Sequence, residues 1–128
     1  MNNHVLLIDD ERMLLELVTH FLSGWDIPVI TVNNGPDALN ILRERHQEIG
    51  LVLLDLAIPG MDGCMIARII RDDLGLTDLP ILALTALAGV ETEQKVLEAG
   101  MNAMIAKPFD GPGLLEVLSE YGLYHPAE

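Results

Sequence analysis

Short apolar runs alternate with longer amphipathic segments along the chain. The short runs are continuous and rich in β-branched residues, which is typical of strands that are covered on both faces of a sheet. Five strands are predicted, over residues 5–8, 28–32, 51–54, 81–84 and 103–106. The pattern therefore predicts a buried parallel sheet.

The segments between these strands carry apolar residues at helical spacing. Five helices are predicted, over residues 11–23, 36–46, 62–74, 91–99 and about 112–121. Asp62 can cap the start of the third helix, and Gly100 can end the fourth. Because strands and helices alternate strictly, the expected fold class is α/β, a single doubly wound (βα)5 domain with helices on both faces of a five-stranded parallel sheet.

The length of 128 residues suits one domain. We expect this domain to span residues 1–128, with a core of about 4–121 and a short C-terminal tail. The single cysteine, Cys64, can form no disulfide within the chain. The first apolar run ends at Asp9, too early for a signal peptide or a membrane span, so a cytoplasmic protein without membrane association is expected.

The chain is strongly acidic, with 20 acidic residues against 7 basic ones and a formal net charge of −13. Nucleic-acid binding depends on neutralising phosphates with lysine and arginine. Direct binding to nucleic acid is therefore not expected, and most of the surface acids serve solubility.

Polar residues that can carry chemistry follow four of the five predicted strands. Ligands of open α/β sheets bind at the carboxyl ends of the strands, so these residues are expected to meet at one edge. Each taken alone is more simply a solvated loop or turn residue, but their joint placement indicates a site. They are Asp9 and Asp10 after the first strand, Asp55 after the third, Thr85 and Ala86 after the fourth, and Lys107 after the fifth.

The residue types match phosphoryl transfer to a carboxylate. Mg²⁺ prefers oxygen ligands, and Asp9, Asp10 and Asp55 can supply them if the first and third strands are neighbours. A carboxylate can attack phosphorus to give an aspartyl phosphate. Lys107 can neutralise phosphoryl charge, while the Thr85 hydroxyl and the backbone N–H of Ala86 can donate hydrogen bonds to it.

Four blocks of sequence carry a family resemblance: residues 7–11 (LIDDE), 54–63 (LDLAIPGMDG), 83–86 (ALTA) and 107–109 (KPF). The chain resembles the receiver domains of bacterial two-component response regulators, such as the chemotaxis regulator. The resemblance implies a flavodoxin-like sheet of strand order 2-1-3-4-5. It also implies a cis peptide between Lys107 and Pro108.

The same resemblance implies a role for each site residue. Asp55 matches the phosphoacceptor, Thr85 the switch hydroxyl and Lys107 its ion-pair partner. The implied Mg²⁺ ligands are Asp10, Asp55 and the backbone carbonyl of Ala57, with Asp9 acting through water.

The implied function is a phosphoacceptor signalling switch and not an enzyme, apart from self-catalysed phosphoryl transfer to Asp55 and slow autodephosphorylation. The implied donor is a sensor histidine kinase or a histidine phosphotransfer protein. Phosphorylation would change binding to a downstream protein target through the fourth and fifth helices and the fifth strand. No output domain is expected in this chain.

Three features depart from the family pattern. Met104 stands where an aromatic residue is usual, so the aromatic readout of phosphorylation is in question. Ala57 and Leu87 stand where polar side chains help to place the hydrolytic water, so we expect slow loss of the phosphoryl group. The two glycines of residues 110–113 predict a loose start to the last helix.

Several alternatives stay open. A haloacid-dehalogenase-type phosphatase would need a second acid two residues after the nucleophile, where Ala57 stands. A flavin-binding module would need a Ser/Thr/Gly loop in place of Asp9 and Asp10. A degenerate receiver would bind partners without phosphorylation. A receiver itself can be a stand-alone regulator, a phosphorelay intermediate or a piece of a longer kinase or regulator.

Overall fold

The computed structural model describes residues 3–123. Residues 124–128 of the predicted C-terminal tail lie outside the described residues. The strands are β1 (His4–Ile8), β2 (Val29–Val32), β3 (Ile49–Asp55), β4 (Ile81–Thr85) and β5 (Ala103–Ala106). The helices are α1 (Arg12–Gly24), α2 (Gly35–Arg45), α3 (Gly63–Arg68), α4 (Val90–Glu98) and α5 (Gly111–Glu120).

The strands form one parallel sheet in the order β2-β1-β3-β4-β5. This confirms both the fold class and the strand order that the resemblance implied. β3 is buried along its whole length and lies at the centre, as expected for a strand that reads Ile-Gly-Leu-Val-Leu-Leu-Asp.

Two hydrophobic layers cover the two faces of the sheet. One layer packs α2, α3 and α4 against it and includes Leu42, Ile66 and Val96. The other packs α1 and α5 and includes Leu22 and Leu118. Both faces of the sheet are therefore withdrawn from water, and polar chemistry is confined to its edges.

Polar side chains fix the starts of three helices. Asn34, Asp62 and Asp110 accept hydrogen bonds from backbone N–H groups at the starts of α2, α3 and α5. The capping role predicted for Asp62 is confirmed, since its Oδ1 lies 2.9 Å from the N of Cys64.

The start of α5 is capped and packed despite its glycines. Asp110 caps it through the N–H of Gly113 at 2.8 Å. Gly111 is buried against Phe21, and a Cβ at this position would lie 3.1 Å from the ring. The glycine there permits close packing of α5 on α1.

The third helix differs from its prediction. It ends as an α-helix at Arg68 and continues as a π-helical turn over Ile69–Asp73. The wider turn is closed by the N–H of Leu74, which donates to the carbonyl of Ile69 at 3.0 Å.

Arg71, within this turn, forms hydrogen bonds to segments at the amino-terminal ends of β4 and β5. Its guanidinium donates to the carbonyls of Gly100, Leu76 and Leu79 at 2.8, 2.6 and 2.6 Å. It also reaches Asn102 Oδ1 at 2.9 Å, which in turn accepts the N–H of Ile81. One side chain therefore joins α3, the loop before β4 and the turn between α4 and β5.

We predict that Arg71→Met destabilises the protein by about 2 kcal/mol, because several part-buried carbonyls lose a charged donor. The matched control is Arg43→Met, since among residues 3–123 the exposed Arg43 donates a hydrogen bond to Asn40 alone, within α2. Urea unfolding followed by the fluorescence of Trp25, the single tryptophan, measures both. Equal unfolding midpoints for the two variants would contradict the role given to Arg71.

Candidate functional site

The register of the sheet brings the predicted site residues to one edge. Ile8 of β1 lies opposite Leu54 of β3, so the residues that follow them, Asp9 and Asp55, adjoin. Thr85 of β4 lies opposite Ala106 of β5, and the N–H of Lys107 donates to the carbonyl of Thr85 at 2.8 Å. The carboxyl ends of β1, β3, β4 and β5 thus each place at least one candidate site residue at the same edge of the sheet.

Asp9 and Lys107 form a buried ion pair. Lys107 Nζ lies 3.0 Å from Asp9 Oδ2, and Asp9 is fully buried. The other oxygen of Asp9 accepts the backbone N–H of Glu11 at 2.8 Å. A buried carboxylate requires such partners to offset its lost hydration.

Asp55 lies beside this pair and is 5% exposed. Its Oδ1 accepts the N–H of Ala57 at 3.1 Å and lies 3.6 Å from Lys107 Nζ. The carboxylate is held by the backbone of its own loop, and the same lysine faces both Asp9 and Asp55.

Three carboxylates converge here. Asp9, Asp10 and Asp55 each offer an oxygen atom, and these oxygens all lie within 4.8 Å of one another. Asp10 is exposed while the other two are buried. A set of oxygen donors that is open on one side fits a hard divalent cation such as Mg²⁺, which keeps several waters when bound to protein.

The crowding changes two pKa values. Burial and the charge of Asp9 raise the pKa of Asp55, against the opposing effects of the Ala57 N–H and Lys107. Burial alone would lower the pKa of Lys107, but its hydrogen bond with Asp9 and the charges of Asp9, Asp55 and Glu11 raise it overall. Lys107 therefore stays cationic, whereas the surroundings of Asp55 disfavour its ionised form.

Thr85 and Ala86 begin the loop between β4 and α4. Thr85 is nearly buried, and its hydroxyl oxygen accepts the N–H of Leu87 at 3.0 Å. Accepting that bond leaves the hydroxyl hydrogen for another acceptor. Both residues line one cleft of about 700 Å³ together with Asp10, Asp55 and Lys107.

Two contributors to this site were not assigned a role from the sequence. Glu11 lies 3.9 Å from Lys107 Nζ and adds a third acid around it. Gly63 packs against the end of β3, because a Cβ there would lie 2.9 Å from the carbonyl oxygen of Asp55 and from Leu56 Cα. The Asp62-Gly63 pair that opens α3 was a usable signal, since glycine permits close backbone approach.

The peptide between Lys107 and Pro108 is cis, as the resemblance implied. Met104, at the position where the family has an aromatic residue, lies in β5 opposite Ala83 and is partly buried on the core layer of α4. Its side chain fills space on that face without a ring or a hydroxyl.

Known proteins share this fold and sequence pattern. Residues 5–119 match the family model described as response regulator receiver domain. The chain is 27% identical to the polar-differentiation response regulator DivK of Brucella ovis, over 94% of this chain and 97% of that protein.

Solved structures with the same fold support this family match. The chemotaxis protein CheY4 of Vibrio cholerae is 26% identical with a TM-score of 0.87, over 94% of this chain and 99% of that one. The receiver domain of the sensor histidine kinase PA1611 of Pseudomonas aeruginosa is 28% identical with a TM-score of 0.84, over 94% and 98%. That structure is described with a magnesium ion coordinated in its active-site cleft.

The doubly wound sheet with an acidic cluster at its strand ends is the architecture that these receiver domains share. The chain belongs to the response regulator receiver domain family and thus to two-component signalling. The predicted family is confirmed, and with it the choice of a receiver over a dehalogenase-type phosphatase or a flavin module. Among residues 3–123, no helix is long and apolar enough to span a membrane.

We predict that Asp55→Asn raises the melting temperature of the protein in EDTA by about 2–4 °C. The folded state raises the pKa of Asp55, so above that pKa the ionised carboxylate costs stability that a neutral amide does not. Asp72→Asn is the control, because Asp72 is exposed and lies outside the cluster. A lower melting temperature for Asp55→Asn alone would contradict this account of the charges.

Proposed function

We propose that this receiver is a phosphorylation-dependent switch whose phosphoacceptor is Asp55. The observation that carries the proposal is the position of Asp55: a carboxylate at the floor of a cleft, next to two further aspartates and 3.6 Å from a lysine. A nucleophile, a place for a cation and a fixed positive charge are therefore adjacent.

The cofactor proposed for this site is Mg²⁺. Asp10, Asp55 and the backbone carbonyl of Ala57 would hold it directly, and Asp9 would act through a water molecule. When bound, the ion supplies positive charge to the oxygens of the transferred phosphoryl group. The all-oxygen donor set and the magnesium-bound relative from Pseudomonas support this assignment.

The residues of the chain would act as follows in the transfer. An Asp55 carboxylate oxygen attacks phosphorus, the bond between phosphorus and the donor histidine nitrogen breaks, and the electron pair leaves with that nitrogen. Lys107 balances charge on one phosphoryl oxygen. The Thr85 hydroxyl and the N–H of Ala86 donate hydrogen bonds to another.

The proposed donor is a sensor histidine kinase or a histidine phosphotransfer protein, and the proposed output is binding to a downstream protein target in the cytoplasm. Output through α4, β5 and α5 is supported by the hydrogen bond between Thr85 and Leu87, because that loop leads directly into α4. Leu87 and Val90 are 77% and 80% exposed there, which suits a surface that contacts a protein. Neither nucleic acid nor a membrane is a proposed partner.

We further propose that residues 1–128 form one receiver domain and that the chain is not an enzyme in the ordinary sense. Its relatives include a receiver that makes up nearly the whole protein and a receiver that is part of a kinase. DivK is a response regulator that this chain spans almost completely, and PA1611 is a sensor histidine kinase with a receiver domain.

Slow autodephosphorylation is expected because Ala57 and Leu87, both exposed at the cleft, offer no polar side chain to a water molecule. A time course of intact mass after donor removal measures this loss.

The direct test is intact mass after incubation with acetyl phosphate, with Mg²⁺ or with EDTA. We predict a gain of one phosphoryl group by the wild type and by the control Asp72→Asn, in Mg²⁺ only. Asp55→Asn should gain none, because the nucleophile is removed while the fold and the cluster geometry are kept.

The absence of any gain in the wild type, with Mg²⁺ binding shown by calorimetry, would favour the degenerate receiver. A gain by Asp55→Asn equal to that of the wild type would contradict the choice of Asp55 as the acceptor.

A further inference from the structure

Lys95 borders the cleft that contains Asp55. It lies in the last turn of α4, and its residue lines the cleft together with Asp55, Thr92 and Cys64. Its carbonyl oxygen lies 3.9 Å from the Cys64 sulfur, which fixes this turn of α4 against the start of α3. The chain has only two lysines, and both are at this cleft.

The two lysines differ in how their charge is used. Lys107 is engaged by Asp9, Asp55 and Glu11. Lys95 is exposed and makes no ion pair with any of residues 3–123. It lines the same cleft as Asp55, Thr92 and Cys64, so its charge acts on the space in front of Asp55.

The surroundings of the cleft make this charge significant. Four acids line it, namely Asp10, Glu11, Asp55 and Asp62, in a chain of net charge −13. A small phosphodonor is an anion, so the approach to Asp55 is electrostatically unfavourable. A cation lining the cleft without an ion-pair partner among the described residues lowers this barrier on the α4 side.

We infer that Lys95 is an electrostatic attraction site for small anionic phosphodonors, which raises the local concentration of acyl phosphates in the cleft beside Asp55. This inference rests on the proposed function of Asp55. In the step concerned, a bond forms between an Asp55 oxygen and phosphorus, the bond between phosphorus and the acyl oxygen breaks, and a carboxylate leaves with the electron pair. Lys95 takes no part in that exchange and acts on the encounter that precedes it.

The test compares Lys95→Gln with Arg43→Gln, which removes the same charge from the exposed face of α2, away from the cleft. The measurement is the initial rate of phosphorylation by subsaturating acetyl phosphate with Mg²⁺, followed by intact mass at low and at high ionic strength. At low ionic strength, Lys95→Gln should react about two- to fourfold more slowly than Arg43→Gln, and this difference should vanish in high salt. Lys95→Arg should keep the wild-type rate, while Lys95→Glu should lose more than Lys95→Gln.

Equal rates for Lys95→Gln and Arg43→Gln, with a reactive wild type, would overturn the role of Lys95 and leave the proposed function standing. A slower rate that high salt does not restore would also overturn it, because a structural effect is not screened. A wild type that gains no phosphoryl group at all would overturn the proposed function and this inference together.

Discussion

The site depends on the buried ion pair between Asp9 and Lys107. Asp9 has no exposure to water, so its charge is sustained by the lysine at 3.0 Å and the N–H of Glu11. The pair joins the end of β1 to the end of β5, across the strands that carry Asp55 and Thr85. Removing Lys107 would leave the fully buried charge of Asp9 without its ion-pair partner. The pair therefore sets both the geometry and the electrostatics around Asp55.

Because Asp55 lies beside this ion pair, opposing electrostatic effects act on its ionised form. Burial and Asp9 disfavour its ionised form, whereas Lys107 and the N–H of Ala57 favour it. In the proposed switch, a divalent cation or a phosphoryl group would alter that balance, because both would act on the same oxygens. Thr85 and its bond to Leu87 lie next to the altered charge, and they lead into α4. The proposed signal is a redistribution of charge at the carboxyl ends of the strands. The loop between β4 and α4 would transmit this change to α4.

Most of the fold and the membership of the site were predictable, because both follow from local patterns. Five continuous apolar runs define the strands, and the rule that ligands meet strand ends collects Asp9, Asp55 and Lys107. The π-helical turn was not predictable, since Ile66, Ile69 and Ile70 keep ordinary helical spacing through it. The close packing of Gly63 on the end of β3 likewise appears only when two segments meet in space.

The central claim is that the phosphoryl group resides on the carboxylate of Asp55. Borohydride reduction of the phosphorylated protein converts an aspartyl phosphate to homoserine, which peptide mass spectrometry can place in the sequence. The account predicts homoserine at position 55 alone, and only after treatment with donor and Mg²⁺. Homoserine at position 9 or 10, or a phosphoryl group found on a hydroxyl side chain of the wild type, would contradict it.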